Sequence, residues 1–190
     1  MPIVQKLGSF FILGFFLLFT GGSHGGDYKN FELISVGIRA GANLDYVRIP
    51  PGEKENFRVY DVLGILAFPG SWDTLWDWEA RYLWYASAGV IRAAGDTGLI
   101  STFGPGLGFT KKEWNLSLEM GTGAVFVSDE KFGEQDFGGP VQILGHGGIS
   151  YHFPAHVTVG WRFQHFSDAT IYGKDNRGVD LHFLELSYRF

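Results

Sequence analysis

The chain has no cysteine. That excludes disulfides, thiolate nucleophiles, Cys-ligated metals and a lipid anchor on an N-terminal cysteine. Charge is also scarce: Asp, Glu, Lys and Arg make up 18% of the 190 residues, thin cover for a soluble surface. No Lys/Arg cluster occurs and the formal net charge is −5. Nucleic acid, which proteins bind through clustered cations that release counterions, is therefore not an expected partner. No G-x-S-x-G elbow and no phosphate-binding glycine motif is present, and Gly104-Pro105-Gly106-Leu107-Gly108 reads as close packing within a strand. The apolar run Leu7 to Phe19 is too short for a spanning helix, which needs about 20 residues. It follows the positive Lys6 and precedes the small residues from Gly21 to Gly26, so residues 1–26 are expected to be a secretory signal. Loss of Lys6 leaves residues 27–190 one unit more negative, and long enough for one domain.

What is abundant is aromatic content, at 17%, together with 28 glycines. With turn signals and no long helical pattern, this suits an exported all-β chain. Period-two alternation predicts eight strands, near 30–43, 56–68, 76–92, 97–110, 115–128, 138–152, 155–168 and 178–190. In the third, Trp76, Trp78, Ala80, Tyr82, Trp84, Ala86, Ala88 and Val90 share a face, opposite Asp77, Glu79, Arg81, Tyr85 and Ser87. Strands of ten or more residues, apolar on one face and polar on the other, are the mark of a transmembrane barrel. Strands of a soluble sandwich average about half that length. The polar face carries both signs in Arg39, Asp61, Glu79, Arg81, Glu119, Arg162 and Gln164, as befits a narrow interior filled by paired side chains. The expected fold is an eight-stranded antiparallel up-and-down transmembrane β-barrel in the outer membrane of a Gram-negative bacterium.

With both termini periplasmic, Phe68–Leu75, Lys111–Trp114 and Phe153–Ala155 become periplasmic turns. The segments 43–55, 128–137 and 168–177 become outer loops, joined by a short one at 93–96. Trp72, Trp76, Trp78 and Trp114 fall near periplasmic strand ends, where amphipathic aromatics meet the membrane interface. The acidic pairs Asp129-Glu130 and Glu134/Asp136 read as a solvated loop. His146, His152 and His156 have interior parity, and read as satisfied histidines in preference to a metal site. The last strand ends on Phe190 and resembles the recognition signal by which outer-membrane barrels engage their assembly machinery.

One polar cluster breaks the apolar outer face. Residues i and i+2 of a strand share a face, so His165 and Ser167 stand side by side with the parity of Val157, Val159, Trp161 and Phe163. Asp180 has outward parity on the next strand, at the same loop end. A nucleophile, a base and a carboxylate to orient the base make the set that acyl transfer needs. Polar groups on a lipid-facing wall are costly and mark function. Glu185, of opposite parity, points inward.

The runs His165-Phe166-Ser167-Asp168-Ala169 and Asn176-Arg177-Gly178-Val179-Asp180 resemble the motif of PagL-type lipid A 3-O-deacylases: His-aromatic-Ser-Asn-Ala, a short loop, then Asn-x-Gly-hydrophobic-Glu. The resemblance implies an outer-membrane barrel with a serine hydrolase triad on its outside, level with the outer leaflet. It makes Ser167 the nucleophile, His165 the general base, Asp180 the acidic third member and Asn176 the oxyanion residue, with backbone amides from Ala169 to Ile171 assisting. Lipid A, within lipopolysaccharide, would be the substrate, and no metal or cofactor is called for. The chain departs from the pattern in three places: Asp180 replaces Glu, Asp168 stands where Asn is usual, and the intervening loop is one residue longer. Two rivals from other classes are a non-catalytic barrel with an anchoring, adhesion or structural role, and a soluble lipid-binding barrel with an apolar interior.

Overall fold

The computed structural model describes residues 31–44, 53–173 and 177–190. The expected signal sequence and Asn176 lie outside them. Eight long strands form: β1 Glu32–Ala42, β2 Arg58–Ala67, β3 Glu79–Ala93, β4 Asp96–Lys111, β5 Leu116–Val127, β6 Val141–His152, β7 Val157–Ser167 and β8 Gly178–Arg189. Each pairs antiparallel with its neighbours in sequence, and β1 pairs with β8 to close the barrel. Closure leaves no edge strand, which lets a sheet stand in lipid with its backbone polar groups satisfied.

Alternation decides the two faces. Ile38, Tyr60, Val62, Phe103, Met120, Val159, Trp161, Leu184 and Leu186 point outward and are exposed. Inside, Arg39 makes a two-pronged pair with Asp61 at 2.7 and 2.5 Å. Arg162 Nε donates to Glu185 at 2.7 Å and Arg162 Nη2 to Glu119 at 2.5 Å, with the guanidinium 4.9 Å from the Tyr85 ring centre. The space enclosed by Arg39, Tyr85, His146 and Arg162 leaves no room for a water molecule. A charged, filled interior under an apolar exterior is the reverse of a soluble lipid carrier, so that rival falls.

Two apolar clusters flank the ionic layer. The periplasmic one gathers Leu63, Ile65, Ala67, Leu83 and Tyr85. The one at the loop end is aromatic: Phe57, Phe132, Phe137, Phe166 and Phe183 with Val179, Leu181 and aliphatic neighbours. Phe132 and Phe137 come from the β5–β6 connection, where Lys131–Phe132 and Gln135–Asp136 pair as a small hairpin. The expectation of a purely solvated loop is thus corrected. Its acidic residues are at the surface, but two phenylalanines plug the barrel mouth.

The third strand starts later than alternation alone predicts. Trp76 and Asp77 have φ of 62° and 58° and lie in a 3₁₀ turn, Leu75–Asp77, ahead of β3. Lys111 Nζ donates to the Trp76 carbonyl at 2.5 Å, and Thr74 N and Oγ1 donate to that of Trp78 at 2.7 and 2.9 Å. These bonds turn the chain before it can pair. Trp72, Trp76 and Trp114 are nevertheless exposed at this rim, and Trp78 packs edge-on to Trp114. The three interior-parity histidines do not meet as a group. His146 binds Arg162 inside the barrel and His152 lies between Ser117 and Thr158. His156 is a correction: it sits exposed in the β6–β7 turn, its Nδ1 on the Arg189 carbonyl.

Candidate active site

Strand pairing sets the site. In the β7–β8 register His165 faces Asp180 directly and Ser167 faces Gly178. All four lie at the loop end of the outer wall. His165 Nδ1 is 2.6 Å from Asp180 Oδ1. A carboxylate oxygen only accepts, so Nδ1 carries the proton and the lone pair of the neutral ring is on Nε2. Asp180 is 1% exposed and Ser167 7%, while the His165 side chain keeps 20%. The carboxylate is therefore shut away from water and the imidazole is reachable.

Gly178 brings serine and histidine together. A Cβ at this position would lie 3.0 Å from Ser167 Cβ and 3.3 Å from His165 Cε1, with the Phe166 carbonyl oxygen at 2.9 Å. Serine and the imidazole edge thus converge on a space that only glycine leaves free. Below, Phe166 between them points inward, fully buried, its ring 5.6 Å from Phe137 of the plug. The inward residue between two outward ones is what pins both.

The loop after Ser167 is braced by Asp168, which is fully buried. Asp168 Oδ1 accepts from the backbone amides of Arg177 at 2.9 Å and Thr170 at 3.2 Å. The Asp168 amide donates to the Arg177 carbonyl at 3.0 Å, and its carbonyl accepts from Ile171 at 2.8 Å. Ala169 and Thr170 have φ of 46° and 66°, unfavourable for non-glycine residues and most so for β-branched Thr170. Asp168 thus staples a strained turn. The amides of Thr170 and Ile171, expected as oxyanion donors, are used inside this turn. The Ala169 amide donates to nothing among the described residues.

On the wall below, His182 stacks on Trp161 at 5.7 Å and meets Phe163 at 5.1 Å between ring centres. Sequence reading singled out neither Gly178 as a spacer nor His182. The signal for both is cross-strand register, which a single strand pattern does not contain. Glu185 lies inside the barrel on Arg162 and Arg39, as its parity predicts.

The family model described as Lipid A 3-O-deacylase (PagL) matches residues 63–189, a stretch that contains His165, Ser167 and Asp180. Among solved structures, the crystal structure of the outer membrane enzyme PagL aligns with a TM-score of 0.60 at 20% identity, over 82% of this chain and 98% of that one. The Yersinia pestis outer membrane protein Ail, solved in a phospholipid bilayer nanodisc, aligns at 13% identity with a TM-score of 0.46, over 83% of this chain and 99% of that one. No curated protein sequence matches the chain.

Proposed function

The chain belongs to the lipid A 3-O-deacylase (PagL) family, and on that footing we propose that it hydrolyses the 3-position acyl ester of lipid A in the outer leaflet, with Ser167, His165 and Asp180 as a triad. The observation that carries the reading is the 2.6 Å His165–Asp180 contact on the lipid-facing wall, with Ser167 two residues along on the same face. Ser167 Oγ attacks the ester carbonyl while His165 Nε2 takes its proton. Asp180 holds the tautomer and offsets the charge of the imidazolium. The tetrahedral intermediate collapses by expelling the sugar oxygen, which His165 protonates. Water, deprotonated by the same imidazole, then cleaves the acyl-enzyme. The products are a free sugar hydroxyl and a fatty acid.

Developing negative charge on the carbonyl oxygen needs donors. Asn176 takes that role by the family motif, and the open Ala169 amide is the backbone donor beside Ser167. A site on the outer wall suits the substrate: lipid A is itself a leaflet lipid, its acyl chains lie against the apolar barrel, and its esters sit at headgroup depth. The non-catalytic barrel is the reading to be beaten.

The test is fatty-acid release from lipid A by the purified barrel in detergent. Ser167→Ala should lower the rate by on the order of a thousandfold or more while leaving heat-modifiable gel mobility intact. Release at the parent's rate by that variant would sink the catalytic assignment. Release of chains from positions other than the 3-ester would sink the regiochemistry.

A further inference from the structure

Two arginines on the outer wall stand directly opposite one another. Arg58 on β2 and Arg92 on β3 are register partners, both exposed, at the loop ends of their strands. They share the outward face with Tyr60 and Val62 on β2 and Val90 on β3. Like charges placed directly opposite destabilise a sheet. Arg39, Arg81 and Arg162 each have a carboxylate partner. Neither guanidinium of this outer pair forms an ion pair or a hydrogen bond among the described residues. An anion lying between them would remove the repulsion through charge-assisted hydrogen bonds.

Below the pair, away from the loops, the wall is hollowed. The next outward row is Ala40, Tyr60 and Val90, and it opens an apolar groove of about 670 Å³ that also takes in Ile38, Ala88 and Leu184. Small-molecule sites span about 300–1,000 Å³. The hollow exists because Ala40 and Ala88 stand among larger side chains. Register also fixes the height of the arginines. The row of paired residues that starts at Val157 passes once round the barrel and returns to β7 at Ser167, ten residues further on. Eight steps between strands thus climb ten residues toward the loops, with the strands tilted to match. From Phe163 the row passes His182 and Ala42, reaches Arg58 in three steps and Arg92 in four. Three steps climb just under four residues, which is the separation of Phe163 from Ser167. Arg58 is therefore level with Ser167, and Arg92 slightly above it, on the far side of the barrel.

We infer that Arg58, Arg92 and the groove form a binding site for a phosphorylated lipid A molecule that is not the substrate. Two adjacent guanidiniums match a phosphate monoester, which carries close to two negative charges at neutral pH. The phosphodiester of a phospholipid carries one. Lipid A offers such monoesters on a sugar that bears saturated chains, in the leaflet at the loop end. Its phosphate meets the arginines while its chains fill the hollow at Ala40 and Ala88. The site is independent of the triad, because Arg58 and Arg92 are three and four strands from β7 and cannot reach an ester held at Ser167.

The chain has no cysteine, so Thr97→Cys, exposed and paired with Arg92, takes a single environment-sensitive fluorophore. The full barrel carries it in detergent micelles with Ser167→Ala, which keeps added lipid A intact, and heat-modifiable mobility checks folding. Bisphosphorylated lipid A should shift the emission saturably. Arg58→Gln with Arg92→Gln should raise the Kd about tenfold or more, and so should removal of the lipid's phosphates. Ala40→Trp fills the hollow and should raise the Kd with both arginines in place. Lys54→Gln with Lys131→Gln removes two exposed cations from the same end of the barrel and should leave it unchanged. With Ser167 restored, the arginine variant should release fatty acid at the parent's rate. An unchanged Kd in the arginine variant, an equal rise in the lysine variant, or equal binding of phosphatidylglycerol would overturn the site. So would a parallel fall in fatty-acid release, since the arginines would then be holding substrate. Full activity in Ser167→Ala would overturn the triad alone, so the two failures are distinguishable.

Discussion

Asp180 and His165 are paired residues of adjacent strands, so the shorter carboxylate already reaches the ring where the family motif has Glu. Asp180→Asn keeps the shape but loses the charge and no longer fixes the proton on Nδ1. The expected fall in kcat is on the order of a thousandfold or more. Asp180→Glu keeps the charge and should cost less than about tenfold through repositioning alone. Equal losses for the two variants would contradict an electrostatic and tautomer-fixing role. Gly178→Val should abolish activity in a folded barrel, because its side chain occupies the space where Ser167 and His165 converge. At this scale the sequence was informative: parity put His165, Ser167 and Asp180 on one face and Glu185 on the other. It could not give the direct pairing of His165 with Asp180, since register depends on where the intervening loop closes. Nor could it show that Asp168 is a loop staple and not a free charge beside the serine.

At the scale of elements, the site depends on the plug. Phe137 in the β5–β6 hairpin packs on Phe166, the residue between the base and the nucleophile. Phe137→Ala removes a fully buried ring, which costs about 3–5 kcal/mol in a typical core. The expected outcome is a lower denaturation midpoint and a fall in kcat larger than that caused by Phe57→Ala, which removes a ring of the same aromatic cluster that lies outside the hairpin and packs on Phe137. Equal falls would mean the plug acts only through global stability. The hairpin is also clasped by Asp136, whose carboxyl is held below its usual range by the Gly138 amide and by Lys131. A carboxyl lowered on folding stabilises above its unfolded value, about 3.9, and that support is lost as pH falls through the folded value. Protease resistance of the hairpin should therefore hold at neutral pH and decline only in strong acid. Alternation made all eight strands legible, within a few residues at their ends. The plug was hidden because its connection is mostly polar, with Phe132 and Phe137 too far apart to show a period. Trp76 was misplaced because Lys111, at the far end of β4, and Thr74 bind the turn before β3.

For the whole molecule, a charged interior and an apolar exterior define what the barrel is for. Arg162 neutralises Glu119 and Glu185 at once, all within the barrel. Arg162→Leu would leave two carboxylates without that partner, and breaking a buried pair in this way typically costs about 3–5 kcal/mol. Refolding yield and the temperature of the heat-modified gel shift should both drop. No such drop is expected for Val62→Leu on the outer wall. The sequence disclosed the barrel through mixed charge on one face and greasy residues on the other. Following paired residues round the barrel from Val157 leads back to β7 at Ser167, ten residues on, a stagger that emerges only when all eight pairings are known. We propose that this wall carries a serine esterase acting on the lipid around it. Mass spectrometry of lipid A from cells expressing the chain, beside cells expressing Ser167→Ala at equal level in the outer membrane, tests it most directly. The prediction is loss of the mass of one 3-linked acyl chain with the parent and unmodified lipid A with the variant. Identical spectra from the two would contradict it.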